Sequence, residues 1–210
     1  MKDYYPLRTA AKYQYAYESS EFGGTAKVTT VVLSVEKKGK TETADMRMTV
    51  ELRGHETFTE FAVTKSAKAV VSCDGIVMGG RTEFIRPVRK GLKWEELPDR
   101  SEIAETGVKL SLANGMEFPD CIKVVTNTSG RHGASSVRYY ANGVGYVYEE
   151  YNGDDLCAKV CLSSIEEAPL EELKRRRKKQ EEEQEEPIPE AQEEKPAHKP
   201  AKKTVKNKKK

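Results

Sequence analysis

No stretch of this 210-residue chain approaches the roughly 18 consecutive apolar residues that a membrane-spanning helix needs. The first six residues, Met1-Lys2-Asp3-Tyr4-Tyr5-Pro6, also lack the apolar segment of a secretory signal. As written, the sequence therefore predicts a cytoplasmic protein. An upstream start that encoded an apolar stretch and a cysteine would instead predict a protein of the cell envelope.

The four cysteines lack the spacing of a metal site or of a local disulfide. Cys157 and Cys161 lie on an expected strand, about 13 Å apart at roughly 3.3 Å per residue, which is too far for a mutual bridge. The favoured interpretation is four free thiols in a reducing compartment. A disulfide between different strands, for instance Cys73 with Cys121, stays open if the protein is exported.

Catalytic and cofactor motifs are missing as well. The sequence has no Gly-x-Ser-x-Gly elbow, and the Gly143-Val144-Gly145 segment is not followed by the helix of a dinucleotide site. We therefore predict no metal, no cofactor and no enzymatic activity. The alternative, a hydrolase with an unrecognised site, would need groups from separate strands to converge, and the candidates are His55, Asp74, Asp120 and His132.

Most of the chain has no excess of positive or negative charge. Residues 1–165 carry 22 Lys and Arg against 22 Asp and Glu, which argues against a domain that binds nucleic acid over its whole surface. Adjacent carboxylates such as Glu149 and Glu150 would point to opposite faces of a strand, so they could not flank one substrate bond. We expect them to lie at solvated edges.

What the first 164 residues do contain is alternation of period two. Ala44, Met46 and Met48 alternate with Asp45 and Arg47, as on a strand with one buried face. Similar segments recur along the chain, and they predict ten to twelve short strands. The expected fold is an all-β, curved antiparallel meander, either a half-barrel or a barrel, over residues 1–164.

Turn chemistry agrees with antiparallel neighbours. The dipeptides that favour two-residue hairpin turns are Asp74-Gly75, Asn114-Gly115, Asn142-Gly143 and Asn152-Gly153.

The pattern changes after Ser164. Ser164 and Glu167 have the spacing of a helix capping box, so a short charged helix is predicted over residues 165–180. Residues 181–210 hold an acidic block and then a lysine-rich block, a composition that predicts disorder. The lysines of the second block could contact an anionic membrane or a nucleic acid, and the candidates are Lys202, Lys203, Lys206, Lys208, Lys209 and Lys210. The alternative is a self-compensating, solubilising tail.

Aromatic residues are the most informative set. The ten tyrosines fall mainly in two groups, near the start of the chain and between positions 139 and 151. They could form the floor of a ligand pocket, with candidate contacts Tyr5, Tyr13, Tyr15, Trp94, Tyr139 and Tyr146. The alternative is ordinary packing across neighbouring strands.

Three segments resemble a family of bacterial β-rich domains with no established activity, many of which look like secreted lipoproteins. They are Tyr4-Tyr5-Pro6-Leu7 with Tyr13-x-Tyr15, Asp120-Cys121-Ile122-Lys123-Val124, and Tyr140-Ala141-Asn142-Gly143-Val144-Gly145. The resemblance covers about residues 3–151, and Tyr13, Ala10 and Asn142 depart from it. It implies a lipoprotein-carrier-like sheet whose concave face holds an apolar or lipid-like ligand. The expected function is therefore binding or structural.

Overall fold

The computed structural model describes residues 2–129 and 133–169. Within these ranges the chain forms twelve β-strands in succession. They are β1 (Ala11–Ser19), β2 (Phe22–Lys38), β3 (Thr41–Leu52), β4 (His55–Lys65), β5 (Ala69–Ser72), β6 (Arg81–Ile85), β7 (Lys93–Glu96), β8 (Asp99–Ser111), β9 (Glu117–Thr128), β10 (Ala134–Ala141), β11 (Gly145–Asn152) and β12 (Cys157–Glu167).

All twelve strands belong to one antiparallel sheet, in the order β6-β5-β4-β3-β2-β1-β12-β11-β10-β9-β8-β7. The sheet curls into a nearly closed barrel, so its two edge strands, β6 and β7, meet at a seam. Side chains bridge this seam, because the backbone N–H and hydroxyl of Thr82 donate to the two oxygens of Glu96 at 3.0 and 2.6 Å. The predicted all-β antiparallel meander is confirmed as this barrel.

Alternation along each strand decides which side chains enter the barrel. On β3, Ala44, Met46 and Met48 are buried and Asp45 is exposed, as the period of two predicts. The interior face of β12 carries Ala158, Val160 and Leu162, which are buried in the same way. This apolar burial, at about 25 cal/mol per Å², is the main contribution to folding.

Two connections between strands differ from the predicted turns, one being a tight hairpin and the other a longer loop. Leu52 pairs with His55 across Arg53 and Gly54, which have φ angles of 53° and 81°. Two successive positive φ angles are typical of a type I′ turn, which matches the twist of the flanking strands.

By contrast, Asp74-Gly75 does not form a two-residue hairpin, because β5 ends at Ser72 and β6 begins only at Arg81. The intervening residues 73–80 form a longer loop, the β5–β6 loop.

The C-terminal boundary also differs from the prediction. Strand β12 continues through Glu167, and Ile165, Glu166 and Glu167 pair with β1. The interpretation of Ser164 and Glu167 as a capping box is therefore wrong, since edge-to-edge pairing with β1 satisfies these backbone groups instead. The rest of the predicted helix, from residue 170, and the whole tail of residues 181–210 lie outside the described residues.

Helices that could cross a bilayer are not found in the described ranges.

Candidate ligand-binding site

A small cavity lies inside the barrel. Its walls come from the six strands β1 to β6 and from β11, together with residues 5–7 and the β5–β6 loop. Most of the wall is apolar or aromatic, with Leu7, Val32, Met46, Met48, Phe61 and Ile76 among the contributors. We call this space the tyrosine cavity, because four tyrosines also line it.

Those tyrosines are Tyr5, Tyr13, Tyr15 and Tyr146, and all four are among the candidate ligand contacts from the sequence. Tyr13 and Tyr15 are two residues apart on β1 and therefore share its interior face. The ring centroids of Tyr15 and Tyr146 are 5.6 Å apart in a tilted arrangement, which is favourable for aromatic pairs. Burial raises the pKa of Tyr5, Tyr15 and Tyr146 well above the usual value, so these hydroxyls stay protonated.

The N-terminal segment closes one side of the cavity. The backbone carbonyl oxygen of Asp3 accepts a hydrogen bond from the Gly143 N–H at 2.7 Å. The backbone N–H of Asp3 donates to the Asn142 side-chain oxygen at 2.9 Å. Lys65 then donates to an Asp3 carboxylate oxygen at 2.9 Å and to the carbonyl of Tyr5 at 3.2 Å. These bonds hold Tyr5 and the two residues after it against the barrel interior.

The β5–β6 loop closes another side. Asp74, Gly75 and Ile76 line the cavity, and Ile76 packs against the hydrophobic core. The loop is tightly folded, since a Cβ at Gly75 would lie 2.7 Å from the carbonyl oxygen of Met78. A Cβ at Gly80 would lie 2.8 Å from the carbonyl oxygen of Cys73. Glycine is therefore needed at both positions to keep the loop folded onto the cavity.

Buried charges border the cavity on one side. Arg81 donates to both carboxylate oxygens of Glu149, at 2.9 and 2.7 Å, and to Glu83 at 3.1 Å. Arg138 donates to Glu83 at 3.3 Å, and the Tyr140 hydroxyl also donates to Glu83. We call these five residues the barrel charge cluster, and it contains two arginines and two glutamates.

The cluster strongly favours the ionised form of Glu149. Burial alone would raise the pKa of this carboxyl group, which has no exposed surface. The charge and hydrogen bonds of Arg81, the charge of Arg138 and the Tyr146 hydroxyl outweigh burial and lower the pKa to about 2. The expectation that Glu149 lies at a solvated edge is wrong, although its neighbour Glu150 is exposed.

Sequence reasoning missed this cluster. Arg138 and Glu149 are register partners on β10 and β11 and share the interior face. A signal was present, because Ser136, Arg138 and Tyr140 alternate on one face of a strand. Without the pairing register, however, nothing in the sequence shows that an arginine and a glutamate meet.

The cavity is small. Its free volume is about 50 Å³, enough for a few water molecules at roughly 10 to 15 Å³ of accessible volume each. A whole acyl chain does not fit while Tyr5 and Ile76 hold these positions. As folded, the cavity fits a small apolar molecule or the end of an apolar chain.

Two of the six candidate contacts lie elsewhere. Tyr139 is on the outer face of β10, where its ring packs edge-on against Tyr148 at 5.9 Å between centroids. Trp94 is on β7 opposite Ser101, and neither residue lines the tyrosine cavity.

The residues proposed for a hydrolase site lie in different parts of the structure. His55 is exposed at the β3–β4 hairpin, and Asp74 lines the cavity. Asp120 accepts bonds from Lys2, the Tyr4 hydroxyl and Asn142. His132 lies outside the described residues.

The four cysteines are free thiols in the structure. Cys121 is buried, and burial raises the pKa of its thiol to about 11, which makes it a poor nucleophile at neutral pH. Cys73 and Cys157 are exposed.

Comparison with solved protein structures identifies the fold. A Bacteroides fragilis protein described as a "putative exported protein with YmcC-like fold" superimposes with a TM-score of 0.59, at 13% identity, over 80% of this chain and 100% of its own. The present fold is YmcC-like. A "putative lipoprotein" from Parabacteroides distasonis superimposes with a TM-score of 0.53, at 11% identity, over 79% of this chain and 99% of its own.

No family model matches the sequence, and no curated protein does.

Proposed function

We propose that the barrel is a non-enzymatic binding module that holds a small apolar molecule, or the end of an apolar chain, in the tyrosine cavity. The observation that carries this proposal is the cavity itself. A mostly apolar space bordered by a few polar groups is the usual form of a small-molecule site. Tyr5, Tyr13, Tyr15 and Tyr146 supply both apolar ring surface and hydroxyl groups there.

A longer ligand can bind only if the β5–β6 loop moves out of the cavity. Ile76 and Val77 of the loop pack against the core, and an acyl chain would take the place of Ile76, which lines the cavity. The loop has no ladder pairing of its own, because β5 ends at Ser72 and β6 begins at Arg81. Displacing it leaves the strands of the barrel paired.

Pairing among the buried charges supports a binding role over catalysis. Both oxygens of Glu149 bond to Arg81, and Glu83 bonds to Arg81, Arg138 and Tyr140. A carboxyl group whose pKa is held near 2 is a weak base and gives up no proton at neutral pH. The cluster is suited to fixing the shape of the barrel.

We further propose that the protein acts in the cell envelope rather than in the cytoplasm. The two fold neighbours, described as an exported protein and a lipoprotein, support this location. Fractionation of cells that express the complete gene tests it, with recovery in the envelope fraction expected. Recovery in the cytosol alone would contradict it.

Native mass spectrometry tests the binding proposal. The protein is purified without detergent, measured before and after extraction with organic solvent, and the extracted protein is then offered 1-octanol. We expect a small apolar molecule to co-purify, or the extracted protein to take up octanol. Protein that retains nothing and takes up no octanol would contradict the proposal.

A matched pair of variants locates the binding. Phe61 lines the cavity, whereas Phe58 on the same strand is 68% exposed. Phe61→Ala should change octanol uptake because it enlarges the cavity, and Phe58→Ala should leave uptake unchanged. An equal effect of both variants would place the ligand outside the cavity.

A second function is favoured by the sequence of the tail. Residues 195–210 hold eight lysines and no acidic residue, and each lysine near an anionic membrane contributes about 1 kcal/mol. We propose that this segment, including Lys202, Lys203, Lys206, Lys208, Lys209 and Lys210, attaches the protein to an anionic surface.

Deleting residues 195–210 should abolish sedimentation with vesicles that contain anionic lipid, and raised salt should weaken the binding of the full-length chain. Equal sedimentation of the full-length and shortened proteins at low salt would contradict this proposal.

A further inference from the structure

A second, more polar space lies beside the seam between β6 and β7. Its free volume is about 210 Å³, roughly four times that of the tyrosine cavity. Residues from β6 to β11 and the end of the β5–β6 loop form its walls. We call it the seam groove, and it lies where no neighbouring strand continues the sheet beyond β6 or β7.

Hydroxyl groups dominate the walls of the seam groove. Five serine and threonine side chains from four different strands converge there, namely Thr82, Ser101, Thr126, Thr128 and Ser136. Ser101 and Ser136 are only 7% and 5% exposed, so these are built into the barrel interior. Three of these hydroxyls donate to the carboxylates of Glu96, Asp99 and Glu149, and the other two bond to each other. They therefore offer a ligand mainly acceptor lone pairs, which suit the O–H donors of a ligand that carries hydroxyls.

Two carboxylates at the rim add strong acceptors. Glu96 accepts from Thr82, and Asp99 accepts from the Thr128 hydroxyl at 2.6 Å. A carboxylate has about four lone-pair sites, so each of these groups can accept further O–H bonds. Tyr151 and Met78 supply apolar surface in the same groove.

The groove has no excess of positive charge for an anion. Arg81 and Arg138 line it together with Glu96 and Asp99, which gives a formal net charge of zero. Both arginines are already bonded to the buried carboxylates of the barrel charge cluster. A phosphate or carboxylate ligand would therefore face two rim carboxylates without a free cation.

One buried donor in the groove wall lacks an acceptor. Arg138 is 2% exposed, and its terminal nitrogens bond to Glu83 and Thr126, but its Nε–H has no partner among the described residues. Buried N–H groups are nearly always bonded, so this donor favours an additional oxygen-bearing partner at this wall.

From the hydroxyl lining, the rim carboxylates, the neutral charge and the unpartnered Arg138 N–H, we infer that the seam groove binds a neutral pyranose sugar. The hydroxyls and carboxylates bond to the sugar hydroxyls, and Tyr151 packs against the C–H face of the ring. This inference is independent of the apolar ligand proposed for the tyrosine cavity.

Methionine methyl groups provide the test, because they report on the two sites separately. Met78 lines the seam groove, Met46 and Met48 line the tyrosine cavity, and Met116 lines neither. The full chain is labelled with ¹³C at the methionine methyls and titrated with glucose, galactose or N-acetylglucosamine, and with glucose 6-phosphate for comparison. At least one neutral sugar should shift the Met78 signal while Met46, Met48 and Met116 stay in place.

A matched pair of variants sharpens the test. Asp99→Asn weakens an acceptor in the groove and should reduce sugar affinity by about tenfold. Asp45→Asn makes the same change on the outer face, where Asp45 accepts from the Ser34 hydroxyl at 2.7 Å, and should leave affinity unchanged.

The inference is overturned if none of the three neutral sugars shifts Met78 at millimolar concentration, or if their shifts fall on Met46 and Met48. Tighter binding of glucose 6-phosphate than of glucose would also overturn it in favour of an anion site. Because the wild-type shifts locate the sugar by themselves, the test does not depend on either variant folding. Failure at Met78 leaves the proposal for the tyrosine cavity intact.

Discussion

Arg81 and Glu149 form a two-bond ion pair inside the barrel, 68 residues apart in sequence, with N–O distances of 2.9 and 2.7 Å. Glu149 has no exposed surface and the Arg81 side chain is 15% exposed, so the pair is largely removed from water. An ion pair in this setting costs desolvation free energy, and it is stabilising only while both partners are present. The pair joins β6, at the edge of the sheet, to β11 across the interior.

Removing one partner should therefore be strongly destabilising. Glu149→Gln leaves Arg81 buried with only Glu83 as a charged partner, and we expect the free energy of unfolding to fall by about 3 to 5 kcal/mol. Glu102→Gln breaks an exposed pair with Lys93 and should cost at most about 1 kcal/mol. Urea denaturation measures both, and equal losses would show that the interior pair has no special role.

Acid should weaken the fold through the same carboxyl group. Its pKa is lowered from 4.5 to about 2 in the folded protein, so the unfolded chain binds the proton more readily. The contribution is fully present above about pH 4.5 and is lost as the pH falls toward 2. It amounts to about 3 kcal/mol at 1.36 kcal/mol per pKa unit.

Unfolding free energies measured between pH 6 and pH 2 check this dependence. The Glu149→Gln protein should lose less stability than the wild type as the pH falls through that window. Parallel pH profiles of the two proteins would mean that Glu149 titrates normally in the folded state.

Folding of the β5–β6 loop should depend on Gly80 but not on its neighbour. A Cβ at Gly80 would meet the Cys73 carbonyl oxygen at 2.8 Å, whereas a Cβ at Gly79 meets nothing within 4 Å. Gly80→Ala should lower stability by about 1 to 3 kcal/mol, and Gly79→Ala by no more than about 0.5 kcal/mol. Thermal unfolding distinguishes them, and similar melting temperatures would show that the loop adapts freely.

Phe61 and Phe58 should differ in stability as well as in ligand uptake. Phe61 packs against the core and lines the cavity, while Phe58 lies on the outside with Arg47 5.1 Å from its ring centroid. Phe61→Ala should cost up to about 3 to 5 kcal/mol, and Phe58→Ala about 0.5 to 1 kcal/mol. The two free energies of unfolding in urea test this, and a larger loss for Phe58→Ala would contradict the assignment of faces on β4.

The sequence was sufficient for the class of fold and for part of the cavity. Alternation such as that of Met46 and Met48 with Arg47 depends only on local periodicity, so it predicts a strand and its buried face. Tyr13 and Tyr15 follow the same rule, since both lie on the interior face of β1 and line the cavity together with Tyr5.

Features that depend on distant partners were beyond the sequence. The placement of Arg138 opposite Glu149 requires the register of β10 with β11, and the ion pair of Arg81 with Glu149 requires the curvature that brings β6 across the barrel. Local turn chemistry also misled at Asp74-Gly75, because packing of Ile76 against the core extends that turn into a loop. In both cases tertiary contacts decide the local outcome.

The central claim is that the tyrosine cavity admits an apolar ligand, and methionine methyl spectra under xenon pressure test it most directly. Xenon is one of the probes that enter dry apolar cavities. It should shift the Met46 and Met48 signals in the wild-type protein and leave Met116 unchanged. Unshifted Met46 and Met48 signals, or equal shifts at all four described methionines, would contradict the claim.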